Sequence, residues 1–216
     1  MTTTTIEPED RAEDRMTGPV LHLVDDDPAV RRALARLLAA AGYRSEGHGS
    51  AEEFLARRDP AIPGCVIVDL CLPGSDGLDL QARLAAAPSA PPLIFLTGQG
   101  DLGAGVRAMK GGAIDFLTKP VEAEALLAAV GDALARDREA RAACAAQTCF
   151  EDRFGLLTPR EREVLDGVVA GQLSKQIAAE LGVAEKTVKV HRGRLMQKMQ
   201  ARTIADLVRQ VVTHRS

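Results

Sequence analysis

No run of apolar residues in this 216-residue chain approaches the roughly 20 that a membrane-spanning helix needs, so a helical membrane anchor within it is excluded. The opening stretch MTTTTIEPEDRAEDRMTG is polar and has no apolar h-region, so it is read as a disordered tail over residues 1–18 and not as a signal peptide. Cysteine is also scarce. Cys65, Cys71, Cys144 and Cys149 form no CxxC pair and have no histidine at metal-ligand spacing. Reduced structural thiols in a cytoplasmic protein are expected, with redox sensing as the lesser alternative.

Charge is distributed unevenly. Residues 1–154 carry a net −8 and residues 155–216 a net +5. The length allows two ordinary domains, and the change of sign suggests that only the C-terminal part meets a polyanion. A merely solvated surface explains either half equally well until motifs are added.

Four short apolar runs each end on a residue suited to phosphoryl chemistry. Val20–Val24 runs into Asp25 and Asp26, Cys65–Val68 into Asp69, Leu93–Leu96 into Thr97, and Ile114–Thr118 into Lys119-Pro120. Such runs, separated by helix-length segments, read as buried parallel strands. Asp27 as cap with Pro28 at the first helical position opens a first helix that closes at Gly42. Ser50 with Glu53 forms a capping box for a second. A third is expected from about Asp76 to Ala87 and a fourth from Asp101 to Lys110. The fifth carries Leu126, Leu127, Val130 and Leu134 on one face, and a weak strand near Tyr43–Glu46 completes the alternation. The fold class is α/β, a five-stranded doubly wound sheet of flavodoxin-like type over residues 19–135, followed by a small all-α helix-turn-helix domain over 154–216. Residues 136–153 read as a linker, and whether the fifth helix continues through it is open.

In an open parallel sheet the loops beyond the strands' carboxyl ends form the binding crevice. Asp25, Asp26 and Asp69 should therefore converge there with Thr97 and Lys119. Asp69 is the candidate nucleophile, because it stands alone at the end of the central strand. Three clustered carboxylates repel one another unless a hard, oxygen-loving Mg²⁺ is shared among them. Thr97 and Lys119 would hold the phosphoryl oxygens.

The segments VDDDPAVRR, VIVDLCLPGSDGLDL, LIFLTGQGD and AIDFLTKP closely resemble the signatures of two-component response-regulator receiver domains, over residues 20–135. The resemblance implies that Asp69 is the phosphoacceptor and that Asp25, Asp26, Asp69 and the backbone carbonyl of Cys71 are the metal ligands. It also implies a switch made of Thr97 and Phe116, and a cis Lys119–Pro120 bond.

The C-terminal segments LTPREREVLDGVVAG, KQIAAELGVAEKTVKVHRGRLMQKM and RTIADLVRQ resemble the LuxR-type four-helix DNA-binding domain. Together the two halves resemble the NarL/FixJ class, nearer its FixJ side in LTGQGD and AMKGGAIDFLTKP. In the helix from Ala184 to Met199, Val188, Leu195 and Met199 fall inward at helical spacing, while Lys186, Lys189, Arg192 and Arg194 fan outward near His191. The resemblance implies that Lys189 and Val190 meet base edges, while Lys186, Thr187, Arg192 and Arg194 suit phosphate contacts and Lys175 and His191 complete the expected DNA-facing set. Two departures stand out. Ala184 replaces the usual capping Ser or Thr, at about 1 kcal/mol of helix stability, and Gly193 in mid-helix costs about another 1 kcal/mol.

The expectation is a cytoplasmic, non-enzymatic transcriptional regulator. A sensor histidine kinase would phosphorylate it on Asp69, after which it would dimerise and bind a two-fold symmetric site in double-stranded DNA. By analogy it would contact RNA polymerase and activate rather than repress. One rival is a DNA-binding protein with a static receiver, which the intact set Asp25, Asp26, Asp69, Thr97 and Lys119 disfavours. The other is a phosphatase with an aspartyl-phosphate intermediate, which would need a further acid/base group and a substrate cap.

Overall fold

A computed structural model of the chain describes residues 18–72, 76–87, 89–98 and 102–215. Nearly all of the expected N-terminal tail, Pro88 beyond the third helix and the expected start of the fourth helix at Asp101 lie outside the described residues. The chain divides into two compact units, Met1–Arg141 and Ala142–Ser216.

In the first unit, β1 (Val20–Val24), β2 (Arg44–His48), β3 (Gly64–Asp69), β4 (Leu93–Thr97) and β5 (Asp115–Thr118) form one parallel sheet in the order β2-β1-β3-β4-β5. β1, β3 and β4 are buried along their whole length. Helices cover both faces, so the strands read as unbroken apolar runs rather than an alternation. One face packs Leu21, Leu23, Ile67, Ile94 and Leu96 against Leu34, Leu38, Leu126 and Val130. The last four come from α1 (Pro28–Ala40) and α5 (Ala123–Gly155). The other packs Val24, Val66, Val68 and Phe95 against Phe54, Leu80, Leu84 and Ala108. These belong to α2 (Ala51–Arg57), α3 (Gly77–Ala85) and α4 (Leu102–Lys110). Each fully buried Leu or Phe contributes about 1.5–3 kcal/mol of burial free energy.

Local signals set most boundaries. Asp27 Oδ1 accepts the Ala29 amide at 2.7 Å, with Pro28 at the first helical position. Ser50 Oγ accepts from the Glu53 amide at 3.1 Å, but Glu53 Oε2 reaches back to Gly49 N, so the expected reciprocal box is only half made. β2 runs two residues past the expected Glu46, because its pairing with β1 continues to Val24 opposite His48.

The expected linker is helical throughout, since α5 runs unbroken to Gly155. Its middle is tied to the first unit by polar contacts. Gly64 N donates to Asp137 Oδ2 at 3.0 Å, and Asp137 is only 5% exposed. Arg141 pairs with Asp137 at 2.9 Å and donates to the carbonyls of Pro60, Ala61 and Ile62. The first unit therefore extends past residue 135 to Arg141. The C-terminal part of α5 likewise enters the second unit before residue 154. Phe150 is buried there and stacks on His214, with ring centroids 4.8 Å apart.

In the second unit, α6 (Pro159–Val169), α7 (Ser174–Leu181), α8 (Glu185–Lys198) and α9 (Ile204–Arg215) enclose Val164, Leu165, Ile177, Val188, Leu195 and Leu207. Thr158 and Glu161 form a complete capping box at the start of α6. Glu161 is 2% exposed, and Lys198 donates to it at 2.7 Å. Burial alone would raise this carboxyl's pKa, but the bonds from Lys198 and Thr158 outweigh it and hold it below the ordinary value.

Candidate phosphoryl site and candidate nucleic-acid interface

Because the five strands are parallel, their carboxyl ends share one rim. Asp25 follows β1, Asp69 ends β3, Thr97 ends β4 and Lys119 follows β5. Asp25 is 1% exposed and Asp69 8%, while Asp26 lies open at the mouth. One carboxylate oxygen from each of Asp25, Asp26 and Asp69 lies within 4.8 Å of the others. This all-oxygen donor set suits a hard divalent cation.

Lys119 joins the two buried carboxylates. Its Nζ donates to Asp25 Oδ2 and to Asp69 Oδ2, both at 2.6 Å. Burial works against the Lys119 ammonium, but its bonds to Asp25 and Asp69 prevail and raise its pKa above the ordinary value. The remaining oxygens are held by the backbone. Asp27 N donates to Asp25 Oδ1 at 2.8 Å, and Cys71 N donates to Asp69 Oδ1 at 3.1 Å. Lys119 N in turn donates to the Thr97 carbonyl at 2.7 Å, so these two strand ends are locked side by side. The Lys119–Pro120 bond is cis. Gly77 opens α3 where any Cβ would come within 2.7 Å of the Asp69 carbonyl, so the helix start can approach the site only as glycine.

Thr97 is buried, and Phe116 is half-buried on β5 with its ring against Gly105 of α4. Cys71 is exposed just beyond Asp69. Sequence reasoning passed over Arg31, whose guanidinium donates to the Asp25 carbonyl. Its position one turn into α1 was its only signal.

In the second unit α8 presents a basic surface. Val188, Leu195 and Met199 are buried, whereas Lys186, Thr187, Lys189, Val190 and Arg194 are exposed. Lys175 is exposed on α7. Lys189 pairs with Glu185 one turn earlier at 2.8 Å. Half-exposed Arg192 donates to Ser174 Oγ at 2.7 Å, linking α8 to the first residue of α7. The cap position before α7 falls to Leu173, whose amide is met by the Gln176 side chain. His191 is half-buried, with its Nδ1 unpartnered among the described residues. Ala184 makes no side-chain cap, and a Cβ on Gly193 would meet open space.

The sequence pattern of the response regulator receiver domain matches residues 21–131, and that of the luxR family of bacterial regulatory proteins matches residues 155–211. Nodulation protein W of Bradyrhizobium diazoefficiens is 45% identical over 193 residues, covering 89% of this chain and 85% of that protein. Among solved structures, the response regulator StyR shares 45% identity with a TM-score of 0.83, covering 90% of this chain and 98% of that one. Full-length FixJ from B. japonicum shares 36% identity with a TM-score of 0.55, covering 92% and 98%.

Proposed function

The chain belongs to the response regulators that join a receiver domain to a LuxR-type DNA-binding domain, a family of transcriptional regulators and not of enzymes, and on that premise we propose that phosphorylation of Asp69 controls its binding to DNA. The observation that carries this reading is the Lys119 ammonium set 2.6 Å from both Asp25 and Asp69, two of the three clustered carboxylates.

Asp69 is the nucleophile. Its oxygen attacks the phosphorus of a phosphohistidine on a sensor kinase, so a P–O bond forms as the P–N bond breaks and the imidazole leaves with a proton. Asp25, Asp26, Asp69 and the Cys71 carbonyl are the residues that would hold Mg²⁺, which supplies neutralising charge to the phosphoryl oxygens when bound. Lys119 already contacts the carboxylate that receives the group, so it can transfer its hydrogen bond to a phosphoryl oxygen. Thr97 offers its hydroxyl from the neighbouring strand end.

Drawing Thr97 toward the phosphoryl group makes room for Phe116 to turn inward. The α4–β5 surface then changes shape, and exposed Val106 and Met109 on α4 offer an apolar patch for a second copy of the chain. In the second unit, α8 enters the major groove. Lys189 and Val190 meet base edges, while Lys175, Lys186, Thr187, His191, Arg192 and Arg194 serve the backbone. Contact with RNA polymerase and a cytoplasmic location follow from the same reading, in keeping with the absence, among the described residues, of any helix long and apolar enough to cross a membrane.

The test is enrichment of bound sequences from random oligonucleotides, with and without acetyl phosphate and Mg²⁺. A symmetric site enriched more strongly under phosphorylation is expected. Identical enrichment in both conditions would overturn phosphate control.

A further inference from the structure

Behind the acidic rim, on the α2-facing side of the sheet, two imidazoles meet. His22 on β1 and His48 on β2 are 8% and 1% exposed, and His22 Nδ1 lies 3.1 Å from His48 Nε2. The register of the two strands sets Glu46 directly opposite His22, and one ligand atom from each of His22, Glu46 and His48 lies within 4.8 Å of the others. Phe54 of α2 closes the site with its edge, at centroid distances of 5.1 Å from His22 and 5.5 Å from His48.

The chemistry of this trio differs from that of the rim in every respect that governs metal choice. Its donors are two imidazole nitrogens and one carboxylate, the set that suits borderline transition-metal dications rather than Mg²⁺. At metal–nitrogen distances of about 2.0–2.1 Å, a nitrogen separation of 3.1 Å corresponds to an angle of roughly 100° at the metal, between octahedral and tetrahedral values. Burial, and secondarily the other imidazole, lowers the His22 pKa to about 4. Burial likewise lowers that of His48 and so favours the neutral imidazole that a metal ion requires. Glu46 keeps 39% of its side chain exposed and pairs with Arg44 at 2.9 Å, an open surface contact that is cheaply exchanged for a metal bond.

We propose that His22, His48 and Glu46 form a binding site for a borderline transition-metal dication such as Zn²⁺, separate from the carboxylate rim. A bound ion would clamp edge strand β2 to β1 just before Asp25, whose amide donates to the His48 carbonyl at 3.2 Å. Binding to the folded chain alone would also stabilise it by mass action.

The experiment is titration of tag-free, full-length protein with Co²⁺ in the presence of excess Mg²⁺, followed by visible absorption. One Co²⁺ per chain should bind and resist displacement by Mg²⁺, and the thermal midpoint should rise with occupancy. Loss of a ligand in His22→Phe or Glu46→Gln should weaken binding by at least ~10-fold, whereas Asp69→Asn should leave it unchanged. Glu46 is at the surface, so its variant tests the site even if the His22 variant does not fold. Absence of Co²⁺ binding, its displacement by Mg²⁺, its loss in Asp69→Asn, or undiminished binding by Glu46→Gln would each overturn the proposal.

Discussion

Lys119 donates to Asp69 across 2.6 Å, although the strands that carry them, β5 and β3, are separated in the sheet by β4. Only a side chain as long as lysine, at the end of β5, bridges that gap. The same ammonium reaches Asp25, so one cation compensates two buried carboxylates. Lys119→Gln keeps most of the side chain's bulk and removes the charge. Stability in a chelating buffer should fall by about 3 kcal/mol, the loss typical when one partner of a buried ion pair is removed. Excess Mg²⁺ should restore most of it. Urea unfolding with and without Mg²⁺ checks both statements, and equal losses in the two buffers would show that cation and ammonium do not share the carboxylates.

Asp69→Asn should abolish acid-labile labelling by acetyl phosphate, and labelling of the native protein should need a divalent cation. Retained labelling in the variant would move the phosphoacceptor elsewhere.

The buried His22 ring gives stability a dependence on acid. Its folded pKa of about 4 lies below the ordinary 6.5, so between those values the unfolded chain binds more protons. The stabilisation is therefore complete above pH 6.5 and is lost as the pH falls toward 4. Linkage puts the loss between pH 7 and pH 5 at about 2 kcal/mol. His48, whose pKa is lowered by burial as well, should add to the slope, while Glu46 opposes it and Arg44 and Arg58 support it. Denaturant midpoints measured in chelator across this range should show the slope, and His22→Gln should flatten it.

For DNA, Lys189→Ala should cost roughly 1–3 kcal/mol on the preferred site and relax selection at one base pair. Arg194→Ala should weaken all sequences alike and make the log–log salt slope shallower by nearly one unit. If Lys189→Ala costs the same on random DNA, Lys189 is a phosphate contact and base reading belongs elsewhere on α8.

The rim of the receiver was legible because parallel strands end on the same side. Once four apolar runs are read as such strands, Asp25, Asp69, Thr97 and Lys119 must meet there. Caps were legible where side chain and amide are three residues apart, as at Ser50 and Glu53. The pairing of His22 with His48 was hidden, since it depends on the register of β1 with β2 and not on spacing along the chain. Arg192 and Ser174 were hidden for a similar reason, because their contact joins two helices across a turn. The continuation of α5 was obscured because its middle is anchored through charged groups, so no apolar stripe marked it.

That anchoring places the Gly64 amide under remote control. Asp137 accepts its proton from within α5, and Arg141, one turn on, covers the carbonyls of residues 60–62 that lead into β3. Unwinding α5 at that turn strips the entrance of the central strand of its partners, 73 residues away in sequence. Solvent exchange at the single amide of Gly64 is thus a reporter of whether the helix between the two domains is intact, readable in the native protein without a label.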